Sequence, residues 1–550
     1  MRKGVIGLDF GSLSCRGVLM DPGDGAVLAE AEWPYRHGIL SVLPDGTAVP
    51  EGYVLQDPSD FREALYEVVK ALLGSPGAKG AAVAAIGLDS TASTVVPVTE
   101  DLTPLCSLAP FRNHPGAYAV MWKDHRAAAE AAMLTEALRR TDAAWLDRFG
   151  GSIGAEALVS KAAHIALDMP DIYGAAYAFM EMGDWLTSLL TGRPALSRTT
   201  LACKNLYRQG TGFPGEAFFR EIDSRLAGLP GKTMPWKADA MSTGCPGQSA
   251  GRVSEAAAEW LGLNDTVTVT FSQMDGYAGL VGAGVAEAGQ LVLTCGTSTG
   301  FFMLSGSEGP VRGVCAAVRD SMVPGFTGIA AGQASTGDAF AWYVENALPG
   351  SYLDEAGRHG MDAHSWLCEC IRRLPESAGR PLALDWMNGN KSPLNRSDLS
   401  GLILGVTLDT KPEQIYRAMM EAAAFGARRI VDGLAGQGIP VTGILANGGI
   451  SRKNPMLMQI YADVLQRPVE VLDCPQAAAL GSAIAAYVAE ADGYARWTEL
   501  VSGIRPARTA VYRPDPAKKQ LYDRLYAEYL RVSDYFSNEN LVMAELRALH

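Results

Sequence analysis

The sequence predicts an α/β fold built twice over, and three observations predict it. An apolar strand, a turn of glycine and hydroxyl residues and a second strand open the chain: Val5 to Phe10, Gly11-Ser12-Leu13-Ser14, then Cys15 to Met20. The same arrangement recurs as QLVLTC, Gly296-Thr297-Ser298-Thr299-Gly300 and FFML. Behind each hairpin, apolar strands alternate with helical stretches, and strands end in polar loops, the places where α/β proteins bind ligands. Glycine lets backbone N–H groups converge on an anion, and Ser and Thr hydroxyls add donors without bulk. Two such hairpins, each heading an α/β half, are the logic of a duplicated two-lobed nucleotide cleft. Either hairpin alone reads equally well as an ordinary turn.

At 550 residues the chain exceeds one core and allows two large domains. Hydrophobic content of 48% with 19% charged residues is that of a globular enzyme and excludes a disordered chain. The 60 acidic residues outnumber the 47 basic ones, and there is no basic run, so nucleic acid and anionic membrane surfaces are not expected partners. Any phosphate must be gripped locally. No secretory leader is visible and no apolar run is long enough to span a bilayer, which predicts a cytoplasmic protein. The nine cysteines lack zinc-ligand spacing and read as reduced thiols.

Asp9, ending the first strand beside its turn, is placed either to hold a hydrated Mg²⁺ or to cap the turn. Residues 59–74 have helical spacing and end on Gly74; the strand AAVAAIGLDSTAS then runs into a polar loop in which Asp89, Ser90, Thr91 and Ala92 could face a ligand. Trp122, Lys123, Asp124, His125 and Lys204 form a mixed aromatic and polar set suited to a small polyhydroxylated molecule, with a ring for C–H faces and charges for hydroxyls. His164 falls in an apolar helical pattern and reads as a core histidine. Asp275 is a lone acid in a Gly-rich turn. Farther on, Thr410 and Glu413 predict a capping box around Pro412, and Gly448-Gly449 after a strand can admit a flat base beside a helix entered through Asn454-Pro455. The Leu and Tyr stripe of residues 521–530 reads as packing.

These stretches, taken together, resemble the FGGY carbohydrate kinases and are most similar to their L-ribulokinase branch. The resemblance runs through LDFGS at Asp9, GLDSTAS at Asp89, MWKDH at Trp122, the MGDW and Lys204 segments, Asp275, TCGTST at Gly296, VPGFTGIAAGQ, LDWMNGN and ANGGISRKNP. It implies two actin-like, ribonuclease-H-like α/β lobes with a deep interlobe cleft: an N-terminal sugar-binding domain (1–282) and a C-terminal ATP-binding domain (283–550). It implies ATP and Mg²⁺, a small sugar or polyol substrate, and leaves a homodimer open. Asp275 corresponds to the family's catalytic base and Asp9 to its metal-associated acid. Thr91, Ala92, Trp122, Lys204 and Asp275 are then expected at the sugar. Gly11, Ser12, Ser14, Gly296, Thr297, Gly448, Gly449 and Asn454 are expected at the nucleotide.

Two residues depart from the branch. Ala330 stands where such ribulokinases carry a Glu before Ala-Gly-Gln, and Leu13 stands where an acidic or polar residue is common. The expected reaction is phosphorylation of a ketopentose, L-ribulose first, or a close pentitol, with D-xylulose, D-ribulose or ribitol kinases of the same family as the alternative. An actin-like ATPase without a sugar is the rival from another class, and it leaves Asp275, Lys204 and Trp122 without a job.

Overall fold

The opening strand Arg2–Phe10 (β1) is exposed at its first two residues and buried from Gly4 onward, as a strand covered on both faces must be. It pairs antiparallel with Ser14–Met20 (β2), which pairs antiparallel with Val27–Pro34 (β3); on its other side it pairs parallel with Ala81–Ser90 (β4). Ser249–Arg252 (β5) and Thr268–Thr270 (β6) complete the order β5-β6-β4-β1-β2-β3, and Gln273–Met274 (β7) also pairs with β4. The computed structural model describes residues 2–208, 210–375, 378–547 and 549.

Helices cover both faces of this sheet. Pro58–Gly74 starts with Pro at N1 and is capped by Asp57, whose side chain accepts the Ser59 N–H; it buries Phe61, Leu65, Val68 and Leu72 at helical spacing. Gly17 of β2 leaves room for that helix, since a Cβ there would lie 2.5 Å from Val68 Cγ1. Against the opposite face lies Ala477–Glu490, from far along the chain. A Cβ on Gly7 would sit 1.9 Å from Ala479 O, and one on Gly87 2.4 Å from Ser482 O. The first of two compact units accordingly runs past Gly282 to Glu287 and takes back Ala317–Gly328 and Gln476–Arg505. This compact unit is discontinuous in sequence because the face of its sheet is covered only when the distant helix docks. A small antiparallel sheet in this unit joins Leu55–Gln56, Ala119–Val120, Val95–Val98 and Ala178–Glu181.

The second sheet repeats the first. Gln290–Cys295 (β8) pairs antiparallel with Thr299–Ser305 (β9) and parallel with Gly443–Asn447 (β12), which is parallel to Val469–Leu472 (β13). With Ala316–Arg319 (β10), Thr327–Gln333 (β11) and Arg508–Tyr512 (β14), the order is β10-β11-β9-β8-β12-β13-β14. The helix Pro412–Gly436 has Lys411, not Thr410, as its N-cap. The returning hydrogen bond comes from Gln414, whose Oε1 accepts the Lys411 N–H at 2.8 Å, while Glu413 accepts from the Tyr352 hydroxyl. Pro412 sets the start one residue later than the Thr-x-x-Glu spacing suggests. The tyrosine stripe does pack: Tyr522, Tyr526 and Tyr529 of Lys519–Asp534 surround Phe425. All nine cysteines are free thiols. Among the described residues no helix is long and apolar enough to cross a membrane.

Candidate functional site

In the first unit, register brings acids together. Asp9 of β1 stands beside Asp89 of β4, and Gln273 of β7 stands on the other side of Asp89. The C-terminal ends of three neighbouring parallel strands therefore form one ledge, from which the Gly11 turn, the Thr91 loop and the helix Asp275–Gly282 depart. Asp275 is the first residue of that helix and half-buried; its Oδ1 accepts the Gly276 N–H at 2.7 Å, as suits a carboxylate at a helix N-terminus. Asp9 is 8% exposed, with Arg16 3.7 Å away. Burial pushes its carboxyl up despite the arginine. Asp89 is fully buried and accepts the Ser482 hydroxyl at 2.6 Å. Burial, then the charge of Asp9, hold it well above the carboxylate range. Asp89 thus lies beneath the loop; Thr91 is buried as well, at 6% exposed, and Ala92 is half-buried.

Thr91 donates its N–H to Phe10 O (3.0 Å) and its hydroxyl meets that of Thr94 (3.1 Å), which folds the loop tightly over the end of β1. Trp122 donates its indole N–H to Ser12 Oγ at 3.1 Å, linking the aromatic candidate to the first turn and leaving the Ser12 O–H able to donate elsewhere. The Ser14 hydroxyl is spent on Glu32 (2.8 Å). Asp124 is buried and paired with Arg126, with Val54 N–H as a further donor, so it is a structural ion pair and not a fork for hydroxyls. Lys204, in the last turn of Arg198–Lys204 and half-buried, makes no hydrogen bond or ion pair among the described residues.

Sequence reasoning passed over the residue that joins Lys204 to Asp275. Asp184, fully within the core, accepts the Ser197 N–H (3.0 Å), the Thr200 hydroxyl (2.8 Å) and the Ser272 hydroxyl (2.6 Å). Two of these belong to the Lys204 helix and its cap, and the third lies three residues before Asp275. Burial outweighs the three hydrogen bonds and raises Asp184 to about 6. The only signal was its place in the quoted MGDW segment. His164, expected as a satisfied core histidine, is 13% exposed and has its partners in Glu130 (3.3 Å) and Asp168 (3.4 Å).

In the second unit, Gly296 turns β8 into β9 through a hydrogen bond from its N–H to Ser298 O, and Thr297 is exposed at the tip. The helix Thr336–Asn346 abuts this turn, its Gly337 N–H bonding to Thr297 O at 2.8 Å. Gly448 has φ +93°, and a Cβ there would lie 2.4 Å from Cys295 O, so packing alone demands glycine. Gly449 faces open space, free for the approach of a flat ring. Asn454 spends its Oδ1 on capping Pro455–Leu465 through the Leu457 N–H. Thr294 Oγ1 and Asn447 Oδ1, neighbours across β8 and β12, are buried without hydrogen-bond partners among the described residues. A pocket of about 320 Å³ in this unit is apolar and lined by Thr336, Phe340, Leu384, Met387 and Met419. None of the predicted nucleotide residues lines it. Ala330 is buried on β11 with its carbonyl on the Cys315 N–H.

Taken unit by unit, the first offers carboxylates suited to a hydrated Mg²⁺, and the second offers neutral, partly unsatisfied polar atoms beside glycine turns, suited to phosphate. Comparison with known proteins identifies the family. Residues 4–282 match the N-terminal domain, and residues 291–490 the C-terminal domain, of the FGGY family of carbohydrate kinases. The chain is 37% identical to the ribulokinase of Halalkalibacterium halodurans over all of this chain and 97% of that one, and 37% identical to the ribulokinase of Geobacillus thermodenitrificans over 99% and 97%. Its fold is similar to xylulose kinase from Rhodospirillum rubrum (TM-score 0.75, 24% identity, 97% and 99% covered). It is equally similar to gluconate kinase from Lactobacillus acidophilus (TM-score 0.77, 16% identity, 98% and 99% covered), so the fold alone does not choose the sugar. With both family domains matched in order, the chain belongs to the FGGY family of carbohydrate kinases and is an ATP-dependent sugar kinase.

Proposed function

We propose that the protein phosphorylates a ketopentose, L-ribulose first, with MgATP, and that Asp275 is the base. The observation that carries this is the ledge itself: a half-buried acid at a helix start, tied through Asp184 to an unpaired Lys204 and flanked by Thr91, Ala92 and Trp122. Lys204 and the two loops bind the sugar hydroxyls, and the Trp122 ring covers C–H faces. Asp275 accepts the proton of the attacking hydroxyl; that oxygen bonds to the γ-phosphorus as the bond to the β-phosphate oxygen breaks, and ADP leaves. Gly11, Ser12, Gly296 and Thr297 hold phosphates through backbone N–H groups and hydroxyls. Ser14 is limited to support, because its hydroxyl serves Glu32. Gly448, Gly449 and Asn454 frame the base, with Asn454 acting by positioning its helix. Mg²⁺, which Asp9 would hold, supplies positive charge against the negative charge on the phosphate oxygens.

Support for L-ribulose comes from relatives named ribulokinase that align end to end with this chain. Ala330 favours a broader range, since a side-chain acceptor is missing there. The test is ADP release coupled to an indicator reaction over L-ribulose, D-ribulose, D-xylulose, ribitol and glycerol. L-Ribulose or a close pentulose is expected as substrate; activity on glycerol alone overturns the pentose reading while leaving the kinase. Asp275→Asn is expected to lower kcat by about 10²-fold or more while binding of a nonhydrolysable ATP analogue is retained. Near-normal turnover removes Asp275 from the base role. Ala330→Glu is expected to lower the KM for L-ribulose by up to about tenfold, the worth of one hydrogen bond.

A further inference from the structure

Lys161, on the helix Leu158–Asp168, is 2% exposed, and its ammonium directs all three N–H donors at backbone carbonyls: Ser93 O at 2.6 Å, Met121 O at 2.7 Å and Val120 O at 3.2 Å. Burying an ammonium is costly, and nothing about packing this helix demands a charge. The acceptors explain it, because one carbonyl belongs to the Thr91 loop and two to the segment leading into Trp122. Glu181, also 2% exposed, ends the strand Ala178–Glu181 and accepts the Ser93 N–H through Oε2 at 2.7 Å.

Ser93 is thus held at both its N–H and its C=O by side chains of opposite charge. Its φ of +69° lies in the left-handed region, which a residue with a Cβ adopts only when its surroundings over-determine it. The small sheet brings the parts near one another, since Val95 is the cross-strand partner of both Val120 and Glu181. Beyond the ends of those strands single backbone bonds hold each loop to a neighbour, Met182 N–H to Thr94 O (2.8 Å) and Met121 N–H to Val54 O (2.9 Å), and the Lys161 ammonium adds the tie from one loop to the other. Burial lowers Lys161 to about 8 and raises Glu181 to about 7, each opposed by the other's charge; Lys204 is the largest opposing charge on Glu181. The pair therefore also sets the electrostatic surroundings of Lys204.

We propose that Lys161 and Glu181 are positioning residues, a buried ionic clamp that locks the Thr91–Thr94 loop and the Trp122 segment together and thereby fixes the KM for the sugar. This rests on the reading of those loops as sugar contacts. The test combines steady-state kinetics with hydrogen–deuterium exchange of residues 91–94 and 120–122 in Lys161→Met and Glu181→Gln. Lys161→Met is expected to raise the sugar KM about tenfold or more, with the KM for ATP within about twofold, and to speed exchange in both segments. Glu181→Gln keeps an oxygen for the Ser93 N–H and should give a smaller change of the same kind, about threefold. If Lys161→Met does not fold, Lys161→Arg, which keeps the charge, takes its place beside Glu181→Gln. Unchanged exchange and sugar KM, or sugar and ATP KM rising together, overturn the clamp. Trp122→Ala and Thr91→Val separate the two readings. If they leave the sugar KM unaltered, the loops are not sugar contacts; if they raise it while the clamp variants do not, only the clamp falls.

Discussion

The two sheets carry different chemistry at the same address. Two residues before the turn glycine, β1 has Asp9 and β8 has Thr294; across the parallel ladder Asp9 faces Asp89 of β4, and Thr294 faces Asn447 of β12. One ledge is an acid pair, the other a hydroxyl and an amide in the same register. Acids suit a cation and a proton, while neutral groups suit a polyanion that carboxylates would repel. A duplicated scaffold can therefore divide the handling of a magnesium nucleotide by exchanging two side chains on each copy, without altering the strand order. The unsatisfied Thr294 and Asn447 oxygens and the adjacent acids Asp9 and Asp89 would be the two halves of that division.

Exchanging the chemistry tests the comparison. The largest effect is expected from Asp9→Asn, which makes the first ledge resemble the second: kcat should fall by about 10²-fold and the Mg²⁺ concentration for half-maximal activity should rise, since an amide is a poor substitute for a carboxylate at a hard cation. An unchanged Mg²⁺ titration would return Asp9 to the role of a structural acid beside Arg16. The reverse exchange, Asn447→Asp, is expected to raise the KM for ATP by about tenfold with the sugar KM within about twofold, because it would set a carboxylate beside the proposed nucleotide position. Equal effects on both substrates would break the division of labour.

The smallest effect concerns what buried acids cost the first unit. Asp184 is raised to about 6, above its unfolded value. Its stabilising contribution is therefore full below about pH 4 and is lost as pH rises through about 6, up to about 3 kcal/mol over that interval. Thermal melts from pH 4 to 7 should show a shallower decline for Asp184→Asn than for the parent; parallel curves would mean that its three hydrogen bonds cancel the burial.

Both hairpins were legible in the sequence because the same glycine and hydroxyl turn between apolar runs occurs twice, and the Asp9, Asp275 and Gly448 segments stood out beside glycine-rich turns. What stayed hidden depends on burial and register. Asp89 looked like a loop residue until β4 was seen to carry it beneath the loop. Lys161 and Glu181 sit in apolar stretches with no local pattern, and their partners are backbone carbonyls and amides that a sequence does not display. Thr410 missed its cap by one position because Pro412 fixed the helix start. Gly7 and Gly87 gave no hint that residues near 480 would press on them.

That last contact has a bearing on how the polypeptide is made. The helix Ala477–Glu490 fills the bare face over Gly7 and Gly87, and its Gly481 approaches the Asp275 helix so closely that a Cβ would lie 1.9 Å from Ala278 O. Until about nine-tenths of the chain has left the ribosome, the first-made sheet stands with an open apolar face and the Asp275 helix lacks its backing. Closing a loop of several hundred residues is slow to earn its contacts, so the nascent N-terminal half is the species that chaperones would meet.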